Sequence, residues 1–386
     1  MKRRIVHIFF GNPAKLPPLM HELRSVDYGS FDIALIAPDY HLDLERMSEQ
    51  FPEVEFLPVR MRLREASAKQ TAPLKLLRYA EFTIRAGAAI AKQRVDIVVA
   101  HDLPAALPTR LIGRKGFKLI YHAHELWSMA GAEMSPMMGL WRRVEQNIVQ
   151  YVDGMIVPEP NRARIYREEY GAPAEPLVVR NIPPNVYEYA ESDALRERLG
   201  LDGSAVIVLY QGLLTESRCI RELTEAVRHL PEEFQLALLG GIAEDYRQAI
   251  ERIISQYGLQ KRVHLMGSVP YEELYPLTCS AYIGCLLYRD TTMNNRYAAP
   301  NKLYEYLFAG LPLVASDVPG LRDAVPGFNC AKWCNPEEPE SIAQAIAAAT
   351  NLTKGRLLAD AAKERFSWQQ EWEKLLQLYS GALHEA

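Results

Sequence analysis

The feature that most constrains the fold of this chain is a repeated alternation between short apolar runs and longer amphipathic segments. In the first half, the runs that are typical of buried strands are residues 5–10, 31–36, 54–59, 95–100, 118–124, 154–158 and 176–180. The alternation starts again in the second half, with runs at residues 205–210, 234–239, 263–267, 281–287 and 313–315. Because strands that alternate with helices form parallel sheets covered on both faces, the sequence predicts an α/β protein with two doubly wound, Rossmann-like sheets.

A proline-rich connection separates the two halves. Asn181-Ile182-Pro183-Pro184-Asn185 follows the last predicted strand of the first half, and its two prolines make it stiff. The length of 386 residues also exceeds what one ordinary core accommodates. We therefore predict an N-terminal domain of residues 1–182, a C-terminal domain of residues 183–365 and a final segment of residues 366–386. Ligands of such sheets bind at the carboxyl ends of the strands, so two such domains would face each other across a cleft.

Composition and charge argue against several classes of protein. The formal net charge is −4 and gives no reason to expect nucleic acid, although residues 1–190 carry 25 Lys and Arg against 22 Asp and Glu. The first apolar run is too short for a signal peptide, and no stretch approaches the roughly 20 apolar residues of a membrane span. The five cysteines match no zinc pattern, which favours reduced thiols in a cytoplasmic protein. Cys330 and Cys334 would form a metal pair only with a second pair that the chain lacks.

Residues 300–316 predict a short helix that ends abruptly and leads into a buried strand. Pro300 and Asn301 are typical of a helix start, where Asn caps free backbone N–H groups. Gly310 is typical of the left-handed residue that follows a helix, and Pro312 prevents its continuation.

Lys302 is unusual in this helix because it lies in the first turn, where the helix dipole disfavours a cation. A cation is stable there if an anion lies beside it, and helix N-termini bind phosphates. Glu305 follows one turn later. The two residues form either a surface ion pair or a cation for phosphate with a carboxylate for paired hydroxyl groups.

Other candidate residues lie at the predicted ends of strands. The chain has no G-x-G-x-x-G after its first strand, no G-x-x-x-x-G-K-[ST] and no G-x-S-x-G, which argues against dehydrogenases, P-loop NTPases and serine hydrolases. The candidates are Gly11, His124, Gly212, Arg218, Asn294 and Arg296. Each alone has a simpler interpretation: turn geometry for a glycine, a hydrogen-bonded side chain for the histidine and solvent exposure for an arginine. His122 and His124 share one face of a strand as potential metal ligands, but no third ligand lies near them in sequence.

Together these residues match a known pattern, because the chain resembles the retaining glycosyltransferases of family 4 (glycosyltransferase group 1), which have the GT-B fold. Residues 300–312, P-N-K-L-Y-E-Y-L-F-A-G-L-P, are similar to the P-x-K-x-x-E-x-x-A-x-G-x-P block of that family. Residues 121–126, Y-H-A-H-E-L, resemble its D-x-H-E segment, and F-S-W at 366–368 resembles its C-terminal motif. Y-Q-G at 210–212 with R-C-I at 218–220 is similar to its strand-turn-basic block. The resemblance spans nearly the whole chain and implies that the final helix crosses back to the N-terminal domain.

The resemblance implies a nucleoside diphosphate sugar as the donor, with UDP favoured over GDP, and no cofactor or metal. Glu305 would grip the ribose hydroxyl groups, and Lys302 with Arg218 would neutralise the diphosphate in place of a divalent cation. His124 would face the donor sugar from the N-terminal domain, and with Lys302 and Arg218 it forms the predicted catalytic set. The other implied donor contacts are Gly11, Gly212, Asn301 and Leu303.

The implied reaction transfers a sugar to an acceptor hydroxyl group with retention of configuration. The leaving phosphate takes the acceptor proton on the same face of the sugar, so no protein nucleophile is required. The expected role is in the synthesis of cell-surface glycans or glycolipids. Two alternatives remain: a nucleotide-sugar 2-epimerase on the same fold, and a non-catalytic nucleotide-sugar-binding protein.

Three positions depart from the family pattern. Tyr297 stands where a second glutamate is usual, Leu213 where an arginine is expected, and Cys219 where a glycine is usual. Sugar recognition must therefore differ, and the candidates for it are Asp290, Asn294, Asn295 and Tyr297.

Two segments are candidates for acceptor or lipid contact. Residues 60–94 carry nine Lys and Arg against Glu65 and Glu81, with apolar residues among them. A basic amphipathic stretch of this kind either lies on an anionic membrane, here the inner face, or packs as a helix on its own sheet. Residues 135–143, S-P-M-M-G-L-W-R-R, would line an acceptor site, contact lipid or begin a core helix.

Overall fold

The structure, a computed structural model, describes residues 2–64, 72–113, 116–129, 136–184 and 188–384. The chain divides into two compact units, which we call the N-terminal and the C-terminal unit. The N-terminal unit comprises Met1–Asn181 and Gln369–Ala386, and the C-terminal unit comprises Ile182–Trp368.

The N-terminal unit is built on a parallel sheet in the order β3-β2-β1-β4-β5-β6-β7. Its strands are β1 Arg3–Phe9, β2 Phe31–Pro38, β3 Val54–Val59, β4 Ile97–His101, β5 Lys118–His122, β6 Gly154–Val157 and β7 Leu177–Val178. The strand order reverses between β1 and β4, whose last residues, Phe9 and His101, are partners in register. Ligands of doubly wound sheets bind beyond the carboxyl ends of the strands at such a reversal.

Helices cover this sheet, and one of them comes from the end of the chain. The described helices are α1 Pro17–Ser25, α2 Leu44–Gln50, α3 Ala72–Ala91, α4 Leu103–Ile112, α5 Pro136–Val149, α6 Pro160–Glu168 and, after the C-terminal unit, α16 Trp368–His384. Trp372, Leu375 and Tyr379 recur at helical spacing and are buried, and the Tyr379 hydroxyl donates to Glu22 Oε2 at 2.8 Å. The last helix therefore packs on the N-terminal unit through one apolar face.

The C-terminal unit contains the second parallel sheet, in the order β10-β9-β8-β11-β12-β13. Its strands are β8 Val206–Gln211, β9 Phe234–Leu239, β10 Val263–Gly267, β11 Ile283–Leu286, β12 Leu313–Ser316 and β13 Ala331–Cys334. The two predicted sheets are thus confirmed. The sequence reasoning missed β13, because Ala-Lys-Trp-Cys is too short and mixed to stand out as an apolar run.

The helices of the C-terminal unit connect these strands. Those described are α7 Ala194–Leu199, α8 Ile220–Ala226, α9 Glu244–Gln256, α10 Tyr271–Cys279, α11 Met293–Arg296, α12 Asn301–Phe308, α13 Pro319–Ala324, α14 Pro339–Ala349 and α15 Arg356–Arg365. The strand order reverses between β8 and β11, so the residues that follow β8 lie at the point where a ligand is expected.

The helix and strand predicted over residues 300–316 are α12 and β12, with one correction at the start. Pro300 is the capping residue and makes no side-chain cap bond, while Asn301 is already the first helical residue, so Asn301 does not cap the helix as predicted. Gly310 ends the helix in the left-handed region, with φ of 71°. A Cβ at Gly310 would lie 2.4 Å from the Gly355 carbonyl oxygen, so packing as well as backbone geometry requires glycine there.

The cysteines and the helices bear on two further predictions. All five cysteines are buried and free, and burial raises the pKa of Cys330 and Cys334 to about 12, which keeps both thiols protonated at neutral pH.

In the part of the chain that the structure describes, no helix combines the length and the apolar character needed to cross a membrane.

Candidate functional site

Lys302 and Glu305 project from the first two turns of α12, but they do not pair with each other. The Lys302 ammonium donates to the Tyr210 hydroxyl at 3.2 Å and to the Gln211 carbonyl oxygen at 3.1 Å, and it lies 4.4 Å from the centre of the Tyr210 ring. Among the described residues, no ion pair joins Lys302 to a carboxylate. The simple surface ion pair that the sequence left open is therefore not formed.

Glu305 is held by the end of β8. Gln211 Nε2 donates to Glu305 Oε2 at 2.7 Å, and the Thr278 hydroxyl donates to Gln211 Oε1 at 2.9 Å, which fixes the orientation of the amide. Burial raises the pKa of Glu305, whereas the Gln211 hydrogen bond and the Lys302 charge favour the ionised form. None of the described residues donates to the second carboxylate oxygen, Oε1. Glu305 is thus oriented by one oxygen and can accept hydrogen bonds from a ligand with the other.

Arg218 brings a second cation to Lys302. It lies in a short 3-10 turn after β8, its Nη1 donates to Asn295 Oδ1 at 2.9 Å, and its guanidinium lies 4.2 Å from the centre of the Tyr288 ring. Burial, and next the positive charge of Arg218, lower the pKa of Lys302 to about 7, against the smaller opposing effect of Glu305. The site thus holds two cations, and one carboxylate offsets only part of their charge. A bound anion would stabilise the charged form of Lys302.

Two glycines let the loop after β8 approach this site. Gly212 has a φ of 121°, and a Cβ on it would lie 3.2 Å from Lys302 Nζ. Gly240, after β9, has a φ of 152°, and a Cβ there would lie only 1.8 Å from the Gly212 carbonyl oxygen. Because no side chain fits between these backbones, the two glycines allow the close approach that positions Lys302.

The predicted candidates for sugar recognition are not equally accessible. Asp290 forms an ion pair with Arg296 at 2.9 Å and is exposed, and Asn294 is half-buried. Tyr297 is only 8% exposed and Leu303 only 1%, so both side chains belong to the packed interior. Asp290 and Asn294 thus remain the more accessible candidates for contact with a sugar.

The structure shows the environment of two positions that depart from the family pattern. Leu213, which stands where the family usually has an arginine, is 71% exposed, so this substitution lies at the surface and not in the core. Cys219 has a φ of 50°, a left-handed conformation that explains why glycine is usual there, and its side chain is buried. Sequence reasoning missed that Thr278 supports the site, and it named Asn295 for sugar recognition, whereas Asn295 is buried and accepts a hydrogen bond from Arg218. Asn295 belongs to the polar loop before Pro300, which was a usable signal, whereas no local pattern marks Thr278.

In the N-terminal unit, His124 is half-buried and lies at the end of a chain of histidines whose other members, His101 and His7, are buried. His101 Nδ1 lies 2.9 Å from His124 Nε2, and His7 Nδ1 lies 3.0 Å from His101 Nε2. Burial first, and the neighbouring charges next, lower the pKa of His101 and His124, so these imidazoles are neutral. Neutral His101 carries one N–H, so one of its ring nitrogens donates and the other accepts. The two hydrogen bonds therefore point the same way, either both from His7 towards His124 or both from His124 towards His7. His124 Nδ1 has no partner among the described residues.

The backbone of His124 is fixed from both sides. The Asp102 carboxylate accepts the N–H of His124 at 2.9 Å and that of Glu125 at 3.3 Å, and Arg162 Nη1 donates to the His124 carbonyl oxygen at 2.6 Å. Asp102 has a φ of 64°, and burial raises its pKa to about 8. This buried scaffold positions His124, whose role toward a donor stays a prediction.

The same histidines bear on the metal alternative. Ligand atoms of His101, His122 and His124 lie within 4.8 Å of one another, so the third ligand that the sequence did not show is His101. The His122 and His124 rings are stacked with centres 4.0 Å apart, and His122 Nδ1 lies 3.1 Å from Glu22 Oε1. Stacked, hydrogen-bonded rings differ from the convergent tetrahedral arrangement of a zinc site.

Gly11 and the basic segment of residues 60–94 also lie in the N-terminal unit. Gly11 follows β1, and a Cβ there would lie 2.7 Å from the Phe9 ring. Arg64 pairs with Asp39 at 3.1 Å, and Arg85 pairs with its helical neighbour Glu81 at 2.8 Å. Part of the positive charge of this segment is therefore neutralised within the unit.

The apolar residues of this segment divide between the core and the surface. Phe82 is buried, whereas Leu77 and Ile84 are 58% and 61% exposed on one side of α3. Within the two segments predicted to contact an acceptor or lipid, Glu65, Lys69 and Ser135 lie outside the described residues. Contact with a membrane stays a prediction.

Comparison with known families identifies the class of protein. One family model, described as "Glycosyl transferase 4-like domain", matches residues 19–182, and a second, described as "Glycosyl transferases group 1", matches residues 205–351. Together they match well over half of the chain. The chain therefore belongs to the group 1 glycosyltransferases, in glycosyltransferase family 4.

Individual relatives are distant. The D-inositol 3-phosphate glycosyltransferase of Nocardia farcinica is 26% identical over 83% of this chain and 74% of its own length. The protein of the same name from Xylanimonas cellulosilytica is 26% identical over 62% of this chain, and the match spans only 59% of the length of that relative.

Solved structures show the same fold. Sucrose-phosphate synthase from Thermosynechococcus elongatus has a TM-score of 0.79 at 19% identity, with 100% of both chains covered. HepE from Anabaena, in complex with UDP and glucose, has a TM-score of 0.73 at 18% identity and covers 97% of this chain and 99% of its own. Both likenesses are to GT-B structures.

Proposed function

We propose that this glycosyltransferase moves a hexose from a nucleoside diphosphate sugar to an acceptor hydroxyl group with retention of configuration. The observation that carries the proposal is the arrangement on α12 and β8. Two cations, Lys302 and Arg218, are close enough for the charge of Arg218 to lower the pKa of Lys302, and Glu305 lies one turn after Lys302. The Glu305 oxygen Oε1 has no donor among the described residues, whereas Oε2 accepts from Gln211. A diphosphate with an adjacent ribose diol supplies the anion and the hydroxyl donors that this arrangement lacks.

In the proposed reaction, the bond between the anomeric carbon and the diphosphate oxygen breaks. The acceptor oxygen bonds to the anomeric carbon on the same face, and its proton passes to the leaving phosphate. Lys302 and Arg218 stabilise the charge that develops on the diphosphate, a task that a divalent cation performs in other enzymes. Glu305 holds the ribose, and the buried network of Gln211 and Thr278 keeps its carboxylate in place.

The donor and the cellular role are inferred more indirectly. The HepE neighbour was solved with UDP and glucose, which supports UDP over GDP as the nucleotide. The proposed setting is the synthesis of cell-surface glycans or glycolipids in the cytoplasm. Residues 60–94 are proposed to contact the inner membrane face peripherally. Co-sedimentation with anionic liposomes tests this contact. If Leu77→Ser co-sediments as much as the original protein does, α3 has no role in the contact.

Replacing Glu305 tests the catalytic proposal directly. We expect Glu305→Ala to abolish transfer and donor hydrolysis to below about 1% of the original rate, because the donor loses the carboxylate that orients its ribose. Release of UDP from UDP-glucose, measured in the presence of EDTA, reports both reactions. Glu251→Ala removes an exposed carboxylate from α9 of the same unit and should leave the rate unchanged.

The other outcomes of this assay separate the alternatives. Nucleotide binding without turnover over a panel of acceptors would favour the non-catalytic binding protein. Release of UDP with an epimerised free sugar would favour the 2-epimerase. Activity that is lost in EDTA and restored by Mg²⁺ would contradict the proposal that cationic side chains replace the metal.

Donor affinity is expected to depend on pH through Lys302. Its pKa of about 7 in the free protein means that the ammonium form dominates below pH 7, and a bound diphosphate would raise this pKa. Binding above pH 7 therefore requires proton uptake. We expect the affinity for UDP-glucose to be constant below pH 7 and to fall by up to about tenfold per pH unit above it. Calorimetric titrations in buffers of different ionisation enthalpy measure both effects.

The matched control is Lys302→Arg, because a guanidinium stays charged over the whole range. This variant should bind UDP-glucose with an affinity that is nearly independent of pH. An affinity of the unaltered protein that stays constant from pH 6 to pH 9 would contradict the assignment of Lys302 as the titrating group.

A further inference from the structure

The polar loop after β11 encloses Asn295 and fixes both ends of its side chain. Asn295 belongs to α11 and is 7% exposed. Its Nδ2 donates to the Arg289 carbonyl oxygen at 2.8 Å, and its backbone N–H donates to the Thr292 hydroxyl oxygen at 3.1 Å. Because Nδ2 is held by a carbonyl oxygen, Oδ1 is the end of the amide that faces Arg218, and it accepts from Nη1 of that residue at 2.9 Å.

The same loop also holds the turn that carries Arg218. Arg289 N donates to the carbonyl oxygen of Ser217, the residue before Arg218, at 3.0 Å. The Arg289 guanidinium is itself fixed by hydrogen bonds to two glutamate carboxylates. The backbone of Arg289 thus contacts the turn through its N–H and Asn295 through its carbonyl oxygen. This loop therefore fixes the position of Arg218 at both its backbone and its guanidinium.

Part of the Arg218 guanidinium is left for a ligand. The residue is half-buried, and the guanidinium lies 4.2 Å from the centre of the Tyr288 ring. Nη1 contacts the Asn295 oxygen and, at 3.5 Å, the Ser217 hydroxyl. None of the described residues accepts from Nε or Nη2, and no described carboxylate pairs with Arg218. The guanidinium is thus anchored through one nitrogen and can bind an anion through the other two.

The chemistry of this anchor suits a cation that keeps its charge for a ligand. An amide oxygen is neutral, so Asn295 orients the guanidinium without neutralising it, whereas a carboxylate in its place would compete with a bound anion. An anchored side chain also loses less conformational entropy on binding, which corresponds to about two- to tenfold in affinity. The charge of Arg218 acts on Lys302, so the anchored cation lies where both can contact one anion.

We propose that Asn295 is a positioning residue, which holds the Arg218 guanidinium in the orientation that binds the diphosphate of the donor. Asn295 itself does not contact the sugar, because its side-chain oxygen and nitrogen are both used within the protein. The inference rests on the proposed function, since it concerns the same donor site.

A double-mutant cycle tests whether Asn295 acts through Arg218. UDP and uridine are titrated by calorimetry into the full-length chain, Asn295→Ala, Arg218→Ala and the double variant. We expect Arg218→Ala to weaken the binding of UDP by about 10- to 100-fold. Asn295→Ala should weaken it by about two- to tenfold in the original protein, but by less than about 1.5-fold once Arg218 is absent. Uridine affinity should stay the same throughout.

The controls separate this effect from a loss of stability. Gln256→Ala removes an exposed amide from the end of α9 in the same unit and should change neither affinity. A second variant, Arg218→Lys, leaves the buried Asn295 in place and keeps the positive charge. Its single nitrogen cannot bind Asn295 and also present two further nitrogens to the diphosphate, so UDP should bind at least about fivefold more weakly.

Three results would overturn the proposal. The first is an equal loss of UDP affinity on Asn295→Ala with and without Arg218, and the second is an equal loss of uridine and UDP affinity in Asn295→Ala. The third is an Arg218→Lys protein that binds UDP with the original affinity. If Arg218→Ala and Lys302→Ala both bind UDP as the original protein does, the proposed donor site is wrong as well. Failure of the Glu305 test with the expected coupling intact would refute the transferase and not the positioning of Arg218.

Discussion

Lys302→Ala is expected to weaken the binding of UDP by about 30- to 100-fold while leaving the binding of uridine nearly unchanged. The Lys302 ammonium is positioned by the Tyr210 hydroxyl and the Gln211 carbonyl oxygen, and it shares its surroundings with Arg218. It can therefore donate a charge-assisted hydrogen bond to a phosphate, and such bonds contribute about 1.5–3 kcal/mol. Uridine has no phosphate, so its affinity does not depend on this hydrogen bond.

Calorimetric titration of UDP and uridine into the same preparation measures this difference. Lys261→Ala removes an exposed lysine from the same unit and serves as the control, for which both affinities should stay the same. An equal loss of uridine and UDP affinity in Lys302→Ala would mean that the residue supports the fold of the site and does not contact phosphate.

Gly240→Ala is expected to destabilise the C-terminal unit by about 3 kcal/mol or more. The new Cβ would lie 1.8 Å from the Gly212 carbonyl oxygen, and the residue would be held at a φ of 152°, which alanine rarely adopts. Neither neighbour can move cheaply, because Gly212 N donates to the Leu239 carbonyl oxygen at 2.9 Å and Gly240 N to that of Gly267 at 2.8 Å. For a unit of this size, the midpoint of thermal unfolding should fall by about 6–12 °C.

Differential scanning calorimetry measures the effect, and Gly203→Ala is the matched control. Gly203 lies in the C-terminal unit before β8, and a Cβ there would have nothing within 4 Å, so its midpoint should change by less than about 1 °C. A Gly240→Ala protein that unfolds at the original temperature would show that the β8 and β9 loops are farther apart than the structure places them. Loss of UDP affinity should accompany the loss of stability, since Gly212 borders Lys302.

The prediction of the fold from sequence succeeded where the signals are local. Apolar runs of strand length, separated by helix-length segments, are sufficient to predict parallel sheets, because each run reports its own burial. The short strand β13 was missed because its burial depends on its partner β12 and not on an apolar run of its own. The prediction that Asn301 caps α12 was wrong by one position, because Pro300 is the extended residue that precedes the helix.

The candidate site was predictable only in part. Lys302, Glu305 and Arg218 were found from their positions and from the family pattern, and the structure brings the three together. Leu303, a donor contact implied by the resemblance, and Tyr297, which stands where the family usually has a glutamate, both have buried side chains, and their roles toward a donor stay predictions. The orientation of a side chain depends on what packs around it, which a linear pattern does not contain.

The sequence by itself determined the alternation of strands and helices, the abrupt end of α12 and the residue types at the strand ends. These features depend on the conformation of a few neighbouring residues; for example, Gly310 ends α12 because glycine readily adopts the left-handed conformation. Only the tertiary structure decided which groups meet. Gln211 bonds to Glu305 across 94 residues of sequence, and His7 meets His101 and then His124 only because β1, β4 and β5 are neighbours in the sheet. The physical reason is that strand order is set by the burial of whole elements, and the partners of each side chain follow from that order.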